Sequence, residues 1–292
     1  QIRRVASTAS TNRAPVAVIS ASPSYGAAPL TVNFSAAGSS DPDADALTYE
    51  WSFGDSSAHA TGVQVSHQYA KGTYIATLTV RDTHGGVATA TQRIDSGNTP
   101  PVATISAPAA GFRFRVGEQI TLQGSATDPE DGTLPPARLS WTVLLHHNTH
   151  THPYAGPSTG SSLTFTAPPP EDLAATTTSY LEVRLTATDS QGLTSVVTRE
   201  LRPALVNVTF DTVPGGRTLV VNNVTFTAPK TVVSWENYAL TIDSPAQRDD
   251  AGNWVVVTGW ADGPVPAPAR RTLQTPANAT TYTATFGPAR VW

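Results

Sequence analysis

The feature that most constrains this chain is an internal repeat of strand-and-turn patterns. Asn12-Arg13-Ala14-Pro15-Val16 and Asn98-Thr99-Pro100-Pro101-Val102 open two stretches about 86 residues apart. Each then carries an acidic turn followed by a strand centred on tryptophan. The first reads Ser39-Ser40-Asp41-Pro42-Asp43, then Leu47-Thr48-Tyr49-Glu50-Trp51. The second reads Ala126-Thr127-Asp128-Pro129-Glu130-Asp131-Gly132, then Leu139-Ser140-Trp141-Thr142-Val143. Each closes on an alternating strand that ends in aspartate and a glycine turn: Tyr74 to Asp82 with Gly85-Gly86, and Leu181 to Asp189 with Gly192. Alternation bounded by turn residues marks antiparallel sheets with one wet face. Trp51 and Trp141, mid-strand, are placed to plug the gap between two sheets.

The rest of the sequence fits this pattern. The 24 prolines and 21 glycines suit short strands joined by turns and are poor material for long helices. A third stretch again reads as strands, through Val206–Val213, Leu219–Val221, Trp254–Thr258 and Ala279–Phe286. The expected fold is all-β, three tandem Ig-like β-sandwich domains at 14–97, 98–202 and 203–292, after an N-terminal segment 1–13. The second domain is expected to carry a His-rich loop. With 14% charged residues and a net charge of -4, the chain lacks the basic stripe that neutralises phosphates, so nucleic acid is not an expected partner. No run approaches the roughly 20 apolar residues of a membrane span. Cysteine is absent, which excludes disulfides, thiolate nucleophiles and Cys-ligated zinc. A chain opening Gln1-Ile2-Arg3, without methionine, is expected to be a processed product or a fragment.

From Pro15 to Ile94 the chain resembles a PKD domain. The resemblance rests on Pro29-Leu30-Thr31-Val32-Asn33-Phe34-Ser35, Gly38 to Asp43, Tyr49-Glu50-Trp51-Ser52-Phe53-Gly54-Asp55, and Gly72-Thr73-Tyr74 before Leu78-Thr79-Val80. The last third, with Trp260-Ala261-Asp262-Gly263, resembles PEGA-like surface modules. The order of the three, with Leu144-Leu145-His146-His147-Asn148-Thr149-His150-Thr151-His152-Pro153 in the second, resembles the C-terminal extension of secreted bacterial glucose/sorbosone dehydrogenase-like proteins. In that family a PQQ-type propeller precedes such modules, which would make Gln1 to Val5 its last strand. The propeller and its PQQ are not in this sequence, so the resemblance implies no dehydrogenase activity for the chain.

Three groups of residues could carry chemistry. His146, His147, His150 and His152 form a dense cluster, and imidazole is a ligand for Zn2+, Cu2+ and Ni2+. On one extended strand, His146, His150 and His152 would share a face and His147 would point away. A turn at Asn148-Thr149 would instead let all four converge. The alternative is a polar loop packed on Tyr154. Acidic turns form the second group, with Asp41, Asp43 and Asp82 in the first unit, Asp45 nearby, and Asp128, Glu130, Asp131 and Asp189 in the second. Carboxylates suit Ca2+, which would stiffen a tandem array; the competing reading is aspartate capping its own turn. No EF-hand is present, because Ala46 stands where that loop needs glycine. Aromatic side chains form the third group. Sugars stack on exposed rings, and Tyr154, Trp235, Tyr238 and Trp260 are the candidates, with Trp254 weighed beside them and read, like Trp51 and Trp141, as core.

No Gly-x-Ser-x-Gly elbow or HExxH accompanies these groups. The expected function is a noncatalytic, secreted or cell-surface accessory or adhesion module of a bacterial protein. It would space or tether a partner domain and bind polysaccharide or cell-envelope glycan. The alternatives are a subunit of an extracellular filament or surface layer, built from copies of the chain through sheet edges, and a His-cluster metal-binding protein.

Overall fold

The structure is a computed structural model, and it describes residues 12–263 and 267–289. The segment 1–11, including the strand expected at Gln1 to Val5, lies outside the described residues. The regular structure of the described residues is all strand apart from one 3-10 turn at Pro136–Arg138. The all-β, tandem-sandwich expectation holds. The strands build three cores within two compact units. One unit takes the chain up to Pro101 with Thr127–Gly132 and Asp189–Leu193; the other holds Val102–Ala126, Thr133–Thr188 and the chain from Thr194 onward.

In the first unit, one sheet orders its strands Tyr25–Gly26, Val87–Ser96, Gly72–Arg81, Thr48–Ser52 and Ala60–Thr61. The other orders Ser20–Ser22, Leu30–Ser35 and Gln64–Tyr69. Leu30–Ser35 alternates strictly, burying Leu30, Val32 and Phe34 and exposing Thr31 and Asn33. Those side chains meet Trp51, Tyr69, Leu78 and Ile94 from the neighbouring strands in one apolar core. Period-two burial of this kind follows from the strand geometry and fixes the register.

The second sandwich repeats the arrangement. Its larger sheet orders Arg113–Phe114, Thr194–Pro203, Tyr180–Thr188, Leu139–His147 and His150–Thr159. As in the first, the outermost short strand joins in parallel, Arg113 opposite Arg202 and Tyr25 opposite Asp95. The opposite layer is formed by Val102–Ala107, Gln119–Asp128 and Ser162–Thr166. Both plugging tryptophans are fully buried, and each donates its indole N–H to a glycine carbonyl: Trp51 to Gly62 at 2.9 Å, Trp141 to Gly160 at 3.0 Å. Partner and tryptophan lie 11 residues apart in the first sandwich and 19 in the second. The extra length is the hairpin that carries the histidines.

The third sandwich has a different topology. Leu205–Val213 runs parallel to Thr280–Pro288 in a five-stranded sheet, completed by Lys230–Trp235, Trp254–Trp260 and Gln247–Arg248. The second sheet orders Val224–Thr227, Thr218–Val221, Ala239–Asp243 and Arg270–Gln274. It shares a compact unit with the second sandwich, and Trp235 shows why. Its ring is fully buried in the second sandwich's core, edge-on to Phe114 at 5.5 Å, with Nε1 donating to the Thr176 carbonyl at 2.8 Å. Backbone bonds from Ala204 to Phe114, Glu236 to Ala204 and Val116 to Glu236 close the same junction.

Candidate functional site

The histidine hairpin turns at Asn148 and Thr149, with Asn148 in the left-handed region at φ 48 and its side chain accepting from the Thr178 hydroxyl at 3.0 Å. Asparagine tolerates that conformation better than most residues. The turn sets His147 opposite His150 and His146 opposite Thr151. Residues paired across an antiparallel ladder share a face, and His152 shares that of His150. The histidines that group together are therefore His147, His150 and His152. This corrects the extended-strand expectation of His146, His150 and His152, because the turn reverses the parity; it also corrects the expectation that the turn brings all four together, because His146 is left on the opposite face.

His146 belongs to a different network. Its ring stacks on Tyr180 at 4.5 Å, Nε2 lies 2.8 Å from Glu182, and the Thr151 hydroxyl lies 3.1 Å from Nδ1. Arg184 and His146 both hold the Glu182 carboxyl below its ordinary range, Arg184 more strongly, against the opposing effect of burial. On the other face, the rings of His152 and His150 stack on His147 at 4.9 and 5.6 Å. Glu171 approaches His147 Nδ1 at 3.1 Å. One ligating atom from each of His147, His152 and Glu171 lies within 4.8 Å of the other two. Glu171 sits outside the histidine motif, and no local spacing in the sequence marks it.

The acidic turns share one construction. Asp41 Oδ1 accepts the backbone N–H groups of Asp43 and Asp45, Asp82 those of His84 and Gly86, and Asp189 those of Gln191 and Leu193. Asp128 accepts from Glu130 and Asp131, and Asp249 from Ala251 and Asn253. Each closes its turn with a charge-assisted bond pair. The Asn12 side chain and these amides hold Asp82 below the ordinary carboxylate range, against the opposing effect of burial. Carboxylate oxygens of Asp41, Asp45 and Asp82 lie within 4.8 Å of one another. Asp43, expected in this group, turns instead to Arg13, which meets it at 2.7 Å. Asp45 stands in its place and lies 2.9 Å from His84 Nδ1, which raises the imidazole pKa. Also in the first unit, Asn98 donates to Asp189 at 2.7 Å, Thr99 to Glu130 at 2.8 Å and Ser190 to Asp131 at 2.8 Å.

The aromatic candidates separate by burial. Trp235 is core, as described above, and cannot stack on a sugar. Trp260 is buried beneath Arg271, whose guanidinium lies 5.0 Å from the ring centroid and makes two 2.9 Å bonds to Asp262. Neither ring is open to a sugar: Trp235 fills the second sandwich's core and Trp260 the third's, which corrects both as platforms. Trp254, read as core, is instead 52% exposed with Arg248 over its ring. Tyr154 is at the surface, its hydroxyl donating to the Thr166 carbonyl at 2.5 Å. Tyr238 is half-buried and lines an open groove of about 350 Å³ within the second unit. Asp172, Asn222, Asn223, Asp243 and Arg270 line the same groove. An aromatic side chain flanked by side-chain amides, carboxylates and a guanidinium offers both apolar contact and directional hydrogen bonds.

Residues 12–96 match the family model of the PKD domain. Among curated proteins, the chain is 32% identical to a microbial collagenase of Vibrio alginolyticus over 123 residues, 40% of this chain and 15% of that protein. It is 33% identical to collagenase ColA of Clostridium perfringens over 110 residues, 37% of this chain and 10% of that protein. The chain thus matches only a small part of either relative's length. Among solved structures, one of carbohydrate-binding modules from the β-sandwich superfamily is similar at 18% identity and a TM-score of 0.29, covering 65% of this chain and 97% of that one. Among the described residues, no helix is long and apolar enough to cross a membrane.

Proposed function

We propose that the chain is a noncatalytic, extracellular accessory region that spaces or tethers a partner domain and binds polysaccharide or cell-envelope glycan. The observation that carries the reading is a PKD-matching sandwich followed by a second sandwich of the same strand order, in a chain similar to limited parts of two much longer enzymes. Repetition of one scaffold with short capped turns suits display and spacing. The partner would be the enzymatic or adhesive domain of a longer protein; the propeller implied by the resemblance to dehydrogenase-like proteins would be one such partner.

The glycan surface in this reading is the Tyr238 groove. Tyr238 supplies the apolar contact, and Asn222, Asn223, Asp243 and Arg270 supply hydroxyl-directed bonds. Shallow sites of this kind bind weakly one at a time and gain strength when linked. The test is co-sedimentation of the purified chain with a panel of insoluble polysaccharides and bacterial envelope preparations. Retention on at least one, with no soluble sugar released, is the expected result. Recovery of the chain in every supernatant at high ligand load would overturn the glycan-binding half of the proposal.

A further inference from the structure

The histidine face of the hairpin has a chemistry that glycan binding does not use. His147 is only 7% exposed, and its Nε2 is buried without a hydrogen-bond partner. A buried imidazole nitrogen left in that state is destabilising. The rings of His150 and His152 stack on this imidazole, and the Glu171 carboxylate meets its other nitrogen, Nδ1, at 3.1 Å. His150, His152 and Glu171 are exposed and can adjust, whereas His147 is held by the fold.

We propose that His147, His152 and Glu171, with His150 beside them, bind a divalent transition-metal ion of the Zn2+ or Cu2+ type. Imidazole nitrogens and one carboxylate are the donor set such ions prefer, and hard cations such as Ca2+ favour oxygen alone. Tetrahedral bonds near 2 Å put ligating atoms about 3.4 Å apart. The observed spread, within 4.8 Å, needs only small rotations of the exposed His152 and Glu171 side chains to close. The ion would tie the hairpin tip to the segment that carries Glu171. Since Glu171 also lines the Tyr238 groove, the same bond would fix one wall of that groove. The metal proposal stands whether or not the groove binds sugar.

The experiment is calorimetric titration of the metal-stripped full chain with Zn2+, alongside thermal unfolding with and without the ion. The variants are His152→Gln and Glu171→Gln, both at exposed positions, and His146→Gln as the contrast. One Zn2+ per chain and a raised unfolding temperature are expected. His152→Gln and Glu171→Gln should each weaken binding by on the order of tenfold or more, while His146→Gln binds like the parent. Absence of saturable binding near one equivalent overturns the proposal. So does a His146→Gln loss as large as that of His152→Gln, because it would place the ion on the other face of the hairpin.

Discussion

At the scale of single residues, the PKD-like motif Trp51-Ser52-Phe53-Gly54-Asp55 shows what its spacing does physically. Gly54 has φ +78, and a Cβ there would lie 2.4 Å from the Ile75 carbonyl oxygen. Gly54→Ala should destabilise the first unit by about 2 kcal/mol or more, read by denaturant unfolding; an unchanged midpoint would show that the backbone can yield. Asp55 lies 2.6 Å from His67 and accepts the Ser57 hydroxyl at 2.5 Å. Burial works against the charge, yet these bonds push the carboxyl down to about 2 from an ordinary 3.8. A carboxylate with a depressed folded pKa adds stability above its unfolded pKa and loses it as pH falls through the folded one. Its contribution, about 2 kcal/mol at most, should fade between about pH 4 and pH 2. Asp55→Asn should flatten the first unit's acid unfolding profile across that window, and an unaltered profile would remove Asp55 as the cause.

At the scale of elements, much of the strand pattern could be read from the sequence, and the side-chain groupings only in part. Trp51 and Trp141 were legible because a large ring at mid-strand has few places to go. The aspartate turns were legible because the acid and its backbone partners are two to four residues apart. The histidine face was not, since it depends on hairpin register, and one residue of slip exchanges His146 for His147. Glu171 was invisible because the fold, not the local sequence, brings it to His147. Trp235 and Trp254 depart from the sequence expectation for a related reason. Alternation places a side chain on a sheet face but does not say whether another sandwich covers that face. Trp235→Ala should therefore cost about 3–5 kcal/mol, as a core truncation does, while Trp254→Ala should stay within about 0.5 kcal/mol, as an exposed change does. Paired urea titrations measure both, and equal effects would contradict the burial difference.

At the scale of the whole molecule, three sandwiches share two compact units. The second and third are joined through Trp235 and the backbone bonds around Ala204, so they should unfold together. Scanning calorimetry should resolve two transitions, with Trp235→Ala lowering only one of them. Three separate transitions would show that the junction at Trp235 is weaker than its burial implies. A joined pair of sandwiches also gives the Tyr238 groove fixed walls, which a flexible string would not.

The most direct test of glycan binding is affinity electrophoresis through gels containing soluble polysaccharides, with the parent chain run beside Asp243→Ala and Asn223→Ala. Both residues line the groove and neither belongs to the buried cores. Retardation of the parent by at least one polysaccharide, reduced in both variants, is the predicted result. Unretarded migration in every gel, or retardation untouched by either substitution, would contradict the assignment of the groove as the glycan site.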